Sequence, residues 1–284
     1  MNTQAKYEKR FSFEFFPPKT DAGMEKLEKV QKQLAAKSPS FFSVTYGAGG
    51  STRDRTFDTV VKVKQGTGIC TAPHLSCVGD TKAQLGELLQ QYKSQGINRI
   101  VALRGDLPSG MGASLGELKY ASDLVQFIRE KTGDHFHLEV AAYPEMHPQA
   151  EGMKSDLNAF KTKVEAGASS AITQYFFNVD AYKFFIDSCE KMGLDIPIVP
   201  GIMPITNFDN LVRFSHTCGA EIPRWIRVRM ESYGSDLESI KQFGEEIISN
   251  LCQELLDMGA PGLHFYTLNQ AAPSLAIWDN LNLS

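Results

Sequence analysis

The chain has 284 residues, of which 42% are hydrophobic and 22% charged, with 23 glycines and 13 prolines; this globular composition excludes collagen-like and disordered classes. Twenty-nine basic against 33 acidic residues give a net charge of −4 without any Lys/Arg tract, so nucleic acid is not an expected partner. The five cysteines form no C-x-x-C pair, and the chain has neither a leading apolar h-region nor a run of about 18 apolar residues, which predicts an unprocessed, soluble protein of a reducing cytoplasm.

Short runs rich in β-branched or aromatic residues begin at Phe11 (FSFEFFPP), Phe41 (FFSVTYGA), Cys70 (CTAPHLSC), Arg99 (RIVALRGD), His137 (HLEVAAYP), Ser170 (SAITQYFF), Pro197 (PIVPGIMP) and Gly262 (GLHFYTLN). They predict eight strands. Between them the apolar period moves toward 3.6, as in Met24, Leu27, Val30, Leu34, then Leu85, Leu88, Leu89, Tyr92, then Met153, Leu157, Phe160, Val164, which predicts amphipathic helices. The first seven runs start 27 to 38 residues apart, room for a crossover helix each time, whereas a hairpin needs only a few residues. The last gap holds two helical patterns, one from Phe208 to Phe214 and one through Leu237, Ile240, Phe243, Ile247 and Leu251. The expected architecture is one domain over residues 1–284, an α/β (β/α)8 TIM barrel with an extra helix between strands seven and eight; an open doubly wound sheet shares the same local pattern.

Strand side chains alternate faces, so Phe11, Phe13 and Phe15 should face helices while Ser12 and Glu14 face the barrel interior. The same count turns Ala102, Arg104 and Asp106 inward, with Ser43 and Thr45 from strand two, His74 from strand three, Glu139 and Tyr143 from strand five and Gln174 from strand six. In such a fold, polar groups at the C-terminal strand ends are the expected site. Glu14 and Asp106 stand out as a proton donor, its acidity weakened by burial and a neighbouring charge, and an anionic partner.

Other signals are weaker. GAGGST lacks the G-x-G-x-x-G spacing of a dinucleotide fold and reads as a βα loop. His135, His137 and Glu139 share a strand face, but no further ligand pattern accompanies them, so no metal is expected. Ser12, Ser43 and Ser76 sit in no nucleophile elbow. Trp225 and Trp278 are expected in the core or at an interface.

FSFEFFPPKT, SVTYGAGG followed by DRT, APHLSC, VALRGDLP, YASDLV, AAYPEMHP, AITQYFFN, PGIMPITNF and HFYTLN occur in the order found in methylenetetrahydrofolate reductases of the short bacterial type. The chain resembles that family over nearly its full length. The resemblance implies a cytoplasmic flavoprotein oxidoreductase of one-carbon metabolism and methionine biosynthesis. In it NAD(P)H reduces FAD, and FAD then reduces 5,10-methylenetetrahydrofolate to 5-methyltetrahydrofolate by a ping-pong mechanism. It implies Glu14 as general acid and Asp106 as the acidic residue beside the flavin. It further implies FAD contacts at Thr45, His74, Arg104, Gly105, Asp106, Tyr120, Ala121, Ala141, Tyr143, His147, Asp156, Ala159, Thr162 and Lys163, and substrate contacts at Glu14, Asp106, Gln174, Asn210, Phe214 and Gln270. Gln270, Ala159 and Thr162 depart from residues common in relatives. A homo-oligomer is expected by the same resemblance, and with the chain ending at Ser284 regulation by S-adenosylmethionine is not. Competing readings are a proline-dehydrogenase-type flavin barrel, a non-catalytic folate- or corrinoid-binding barrel, and a metal-dependent hydrolase.

Overall fold

The structure, a computed structural model, describes residues 2–46, 50–105 and 116–283. In chain order it holds α1 (Asn2–Ala5), β1 (Arg10–Phe15), α2 (Asp21–Ala35), β2 (Phe41–Val44), α3 (Gly50–Thr67), β3 (Thr71–Ser76), α4 (Lys82–Ser94), β4 (Arg99–Leu103), α5 (Ala121–Thr132) and β5 (His137–Ala142). Then follow α6 (Met153–Glu165), β6 (Ser170–Thr173), α7 (Val179–Lys191), β7 (Ile198–Val199), β8 (Gly201–Ile202), α8 (Phe208–Cys218), α9 (Arg224–Ser232), α10 (Leu237–Asp257), β9 (Gly262–Tyr266) and α11 (Ala272–Asn280). Among the described residues the strands form one sheet in the order β7-β6-β5-β4-β3-β2-β1-β9-β8. The pairings β1–β2, β2–β3, β3–β4, β4–β5 and β8–β9 are parallel. Consecutive parallel strands joined by helices are the signature of the (β/α)8 TIM-barrel-like class, which the chain adopts.

The chain divides into two compact units, one of Ser12–Ala141 with Thr162–Ala171, the other of Met1–Phe11, Ala142–Lys161 and Ile172–Ser284. In the first, Phe13 and Phe15 are buried on Phe42, with ring centroids 6.3 and 5.0 Å away. The predicted stripe Leu85, Leu88, Leu89 and Tyr92 is the buried face of α4. That helix begins in a capping box, where Thr81 Oγ1 accepts from the Gln84 N–H and Gln84 Oε1 accepts from the Thr81 N–H. Burying each leucine contributes about 1.5–3 kcal/mol, so the helix is held chiefly by this stripe.

In the second unit Phe11 packs edge-on against the buried Trp278 at 5.2 Å. All eight predicted strands occur, but the seventh is broken at Pro200, which has no N–H for the ladder. The Pro200 carbonyl instead accepts from the His264 N–H. Between β8 and β9 lie three helices rather than the two read from sequence. The additional one, α9, reads RWIRVRMES, and only Ile226 and Met230 are buried, too short a stripe to register as a period. In α10 the buried line runs through Ile240, Gly244, Ile248, Leu251 and Leu255 rather than through Phe243 and Ile247. A Cβ at Gly244 would stand 2.7 Å from the Ile205 carbonyl oxygen, so a missing side chain lets the helix settle there. Trp225 is not in the core; it is 59% exposed. Among the described residues no helix is long and apolar enough to cross a membrane.

Candidate active site

In the first unit the parallel register aligns Glu14 with Ser43, and Ser43 with Ala72. These small neighbours leave room beside the half-buried carboxylate. Ser43 Oγ lies 3.4 Å from Glu14 Oε2, and His74 Nε2, from one pleat further along β3, lies 3.1 Å from the same oxygen. His74 is buried, and its Nε2 forms no aligned hydrogen bond among the described residues. For His74 Nε2 the approach is close without being an aligned hydrogen bond, a costly arrangement for a buried polar atom unless something else meets it.

The ends of β3 and β4 are locked by the Arg104 carbonyl, which accepts from Ser76 Oγ at 2.8 Å and from the Val78 N–H at 3.1 Å. The next residue, Gly105, has φ +87°, and a Cβ there would overlap Ser76 Oγ. The glycine of the LRGD motif is therefore required by backbone geometry. Thr45 is pinned through its backbone, its N–H donating to Phe15 O at 2.9 Å and its carbonyl accepting from Thr56 Oγ1 at 3.2 Å. Tyr120 caps α5, its N–H donating to Asp123 Oδ2 at 2.9 Å while its ring stays half exposed, and Ala121 opens the helix. Lys163 Nζ donates to the Ala141 carbonyl at 2.5 Å. Thr162 is exposed beside it on α6.

In the second unit, Tyr143 follows β5 and meets the His147 ring edge-on at 4.5 Å. The Asp156 carboxylate, in the first turn of α6, accepts from the His147 N–H at 3.0 Å. Gln149 N–H donates to His147 Nδ1 at 3.0 Å, which leaves the proton of a neutral ring on Nε2. Ala159 is exposed on α6. Gln174 follows β6, where Thr173 joins three strands: its Oγ1 accepts from the Gly201 N–H at 2.9 Å and its carbonyl from Tyr266 Oη at 2.7 Å. Asn210 and Phe214 are one helical turn apart on α8, which Asn207 caps by accepting from the Asn210 N–H at 2.8 Å. Gln270 closes a turn, its N–H donating to Thr267 O across the left-handed residues Leu268 and Asn269. Asp106 and the glycines Gly47 and Gly49 lie outside the described residues.

The strand-five face read from His137 and Glu139 belongs to a different cluster. Glu139 is fully buried at the start of β5, where it pairs with Arg99 and accepts from Ser170 Oγ at 2.5 Å, with His137 Nε2 at 3.3 Å. Desolvation pushes its pKa up, but the His137 hydrogen bond, the Arg99 and His137 charges and the Ser170 hydroxyl outweigh it and hold the carboxyl at about 2. These residues sit at strand starts, the end of such folds that serves stability. Sequence reasoning misses Ser170 and Arg99, and only their strand-start positions could have pointed to them.

A parallel α/β fold with polar side chains at the C-terminal strand ends of each unit places the chain in the barrel class, where such strand ends are the usual place of a site. The chain matches the methylenetetrahydrofolate reductase family model over residues 1–282. It is 43% identical over 272 residues to the 5,10-methylenetetrahydrofolate reductase of Pectobacterium carotovorum subsp. carotovorum, covering 96% of this chain and 90% of that protein. Identity to the enzyme of the same name from Escherichia coli strain K12 is 42% over the same coverage. It is 38% identical to methylenetetrahydrofolate reductase (NADH) 1 of Zea mays, covering 96% of this chain and 48% of that protein. A solved structure of a Clostridium thermocellum protein, described as binding two copies of 5-methyl-5,6,7,8-tetrahydrofolic acid, superposes with a TM-score of 0.64 at 16% identity, covering 99% of this chain and 96% of that one. That likeness concerns the fold alone. The chain belongs to the methylenetetrahydrofolate reductase family, and this membership supports an oxidoreductase acting on methylenetetrahydrofolate.

Proposed function

We propose that the chain is an FAD-dependent methylenetetrahydrofolate reductase working by a ping-pong mechanism, with a reduced nicotinamide dinucleotide as the electron source. The observation that carries the reading is Glu14, half-buried on a strand with His74 Nε2 3.1 Å from its carboxylate, in a chain of this family. The name of the maize relative supports NADH as the reductant. FAD, when bound, accepts hydride from the nicotinamide in one half-reaction and delivers hydride to the folate in the other.

The residues present fit such a group. His74 Nε2 is a buried polar atom with no aligned hydrogen bond among the described residues, Gly105 keeps a backbone turn free of a side chain, and Arg104 and Lys163 supply the cations that a pyrophosphate requires. Thr45, Tyr120, Ala121, Ala141, Tyr143, His147, Asp156, Ala159 and Thr162 complete the proposed FAD contacts. Gln174, Asn210, Phe214 and Gln270 are the proposed substrate contacts.

Glu14 performs the proton step. Opening the methylene bridge needs a proton on the nitrogen that departs from the bridging carbon, leaving an iminium cation at the other nitrogen. Glu14 gives that proton, and hydride addition to the iminium carbon then makes the methyl group. His74 and Ser43 flank the carboxyl, at 3.1 and 3.4 Å from Oε2. Asp106 is proposed from the sequence as an anion that stabilises the cation and favours hydride donation.

Anaerobic stopped-flow tests the proposal. A yellow preparation should be bleached by NADH and recoloured by 5,10-methylenetetrahydrofolate. A colourless protein that binds folate without turnover would overturn it in favour of a binding barrel, and proline-driven bleaching would favour the other flavin class.

A further inference from the structure

The loop between β5 and α6 carries Tyr143 and His147, and the segment leaving α8 follows the helix that carries Asn210 and Phe214. These two stretches meet twice. Glu145 Oε2 accepts from the Glu221 N–H at 2.8 Å. Pro148 packs so tightly on Gly219 that a Cβ there would lie 2.7 Å from Pro148 Cγ, and Gly219 has φ +78° besides. Behind them Tyr175 Oη and Ser215 Oγ are 3.0 Å apart and buried, tying the chain after β6 to the same helix. Met146, at φ +82°, turns the loop so that Glu145 and His147 are directed separately.

We propose that Glu145 is a positioning residue, a clasp whose carboxyl sets how firmly the loop bearing the FAD contacts is held to the helix bearing the substrate contacts. The inference rests on the reading of those contacts under Proposed function; the clasp itself is a matter of geometry. The groups acting on this carboxyl are the Glu221 N–H, which favours ionisation, the Glu221 carboxylate, which opposes it, and the Tyr175 phenol. Burial is the dominant influence and pushes Glu145 up to about 7. Released to water, the same group returns to the ordinary carboxylate range of about 4.3.

The sign follows from linkage. A carboxyl that is more basic when the clasp is closed favours the closed form fully below about 4.3, and the advantage is lost as the pH rises toward 7. Above 7 both forms are ionised and the dependence levels off. The clasp is therefore tighter in mild acid than in mild base. Glu145→Gln keeps an oxygen for the Glu221 N–H and cannot ionise.

The test is hydrogen–deuterium exchange of the purified enzyme with its bound cofactor, corrected for intrinsic rates, at pH values from 5 to 8.5. In the wild type, protection of segments 143–150 and 219–223 should fall at least tenfold between pH 5 and 7 and then stay level, while β3 is unchanged. In Glu145→Gln both segments should keep the low-pH protection at every pH. A pH-independent wild type, which needs no variant to be measured, overturns the clasp, as does a variant that still titrates. The KM for folate should lose pH dependence in the variant more than kcat does. Because the exchange is read on backbone amides, a clasp that titrates in a protein without folate reductase activity would sink the functional reading alone. A flat exchange profile in an active reductase would sink the clasp alone.

Discussion

Glu14 and His74 face each other across β2, with Nε2 3.1 Å from Oε2, because Ser43 and Ala72 occupy the intervening register row. Neither residue needs the other to hold the strands, since the ladder does that. The approach is suited to moving or holding a proton. Glu14→Gln keeps size and hydrogen-bonding capacity but removes the acid. The expected outcome is folate reduction slowed at least about 10²-fold, the usual contribution of a general acid, with flavin bleaching by NADH retained. Equal slowing of both half-reactions in stopped-flow would reassign Glu14 to binding.

The eight strands were legible because each has a dense apolar run, and Glu14 was legible because alternation from Phe13 and Phe15 fixes its face. What escaped had physical reasons. Helix α9 buries only Ile226 and Met230, so it leaves no period. In α10 the buried row passes through Gly244, a residue that apolar counting ignores. The Thr173–Tyr266 bond joins strands 93 residues apart, and nothing local announces it. Glu145 lies within a motif that carries the family resemblance, yet its partner is the backbone N–H of Glu221, which has no sequence signature.

Glu139 makes an acid-stability prediction. Its pKa is lowered in the folded state from the ordinary carboxylate value to about 2, so its stabilisation is complete above about 4.3 and is lost as pH falls toward 2. Glu139→Gln leaves the half-buried Arg99 without its counter-charge and should cost up to about 3 kcal/mol at pH 7. Between pH 6 and pH 3.5 the gap from wild type should narrow by on the order of 1 kcal/mol. Urea midpoints at the two pH values measure both. An unchanged gap would mean that folding does not lower the Glu139 pKa, and a gap that widens in acid would mean that Glu139 is neutral in the fold.

Tyr266, in the HFYTLN motif, donates to the carbonyl of Thr173, the residue just before Gln174. Tyr266→Phe removes that donor without opening a cavity, and should lower stability by about 0.5–1.5 kcal/mol. Gln174 then loses part of its anchor, so the KM for folate should rise while flavin content is unchanged. Thermal melts and steady-state kinetics on one preparation separate the effects; a flavin loss matching the stability loss would point to general loosening instead.

Lys163 donates to the Ala141 carbonyl from α6, the helix whose first turn holds Asp156. A cation fixed in this way by the backbone is ordered before any ligand arrives, so little of its side-chain entropy remains to be lost on binding a phosphate. Lys163→Met keeps most of the stem and removes the charge. Losing a charge-assisted hydrogen bond costs about 1.5–3 kcal/mol, so FAD should dissociate about tenfold to a hundredfold more readily, seen as a lower ratio of flavin to protein absorbance after gel filtration. Lys163→Arg should restore most of the loss. Full flavin retention in Lys163→Met, with a lowered melting temperature, would show that this lysine only pins the end of β5.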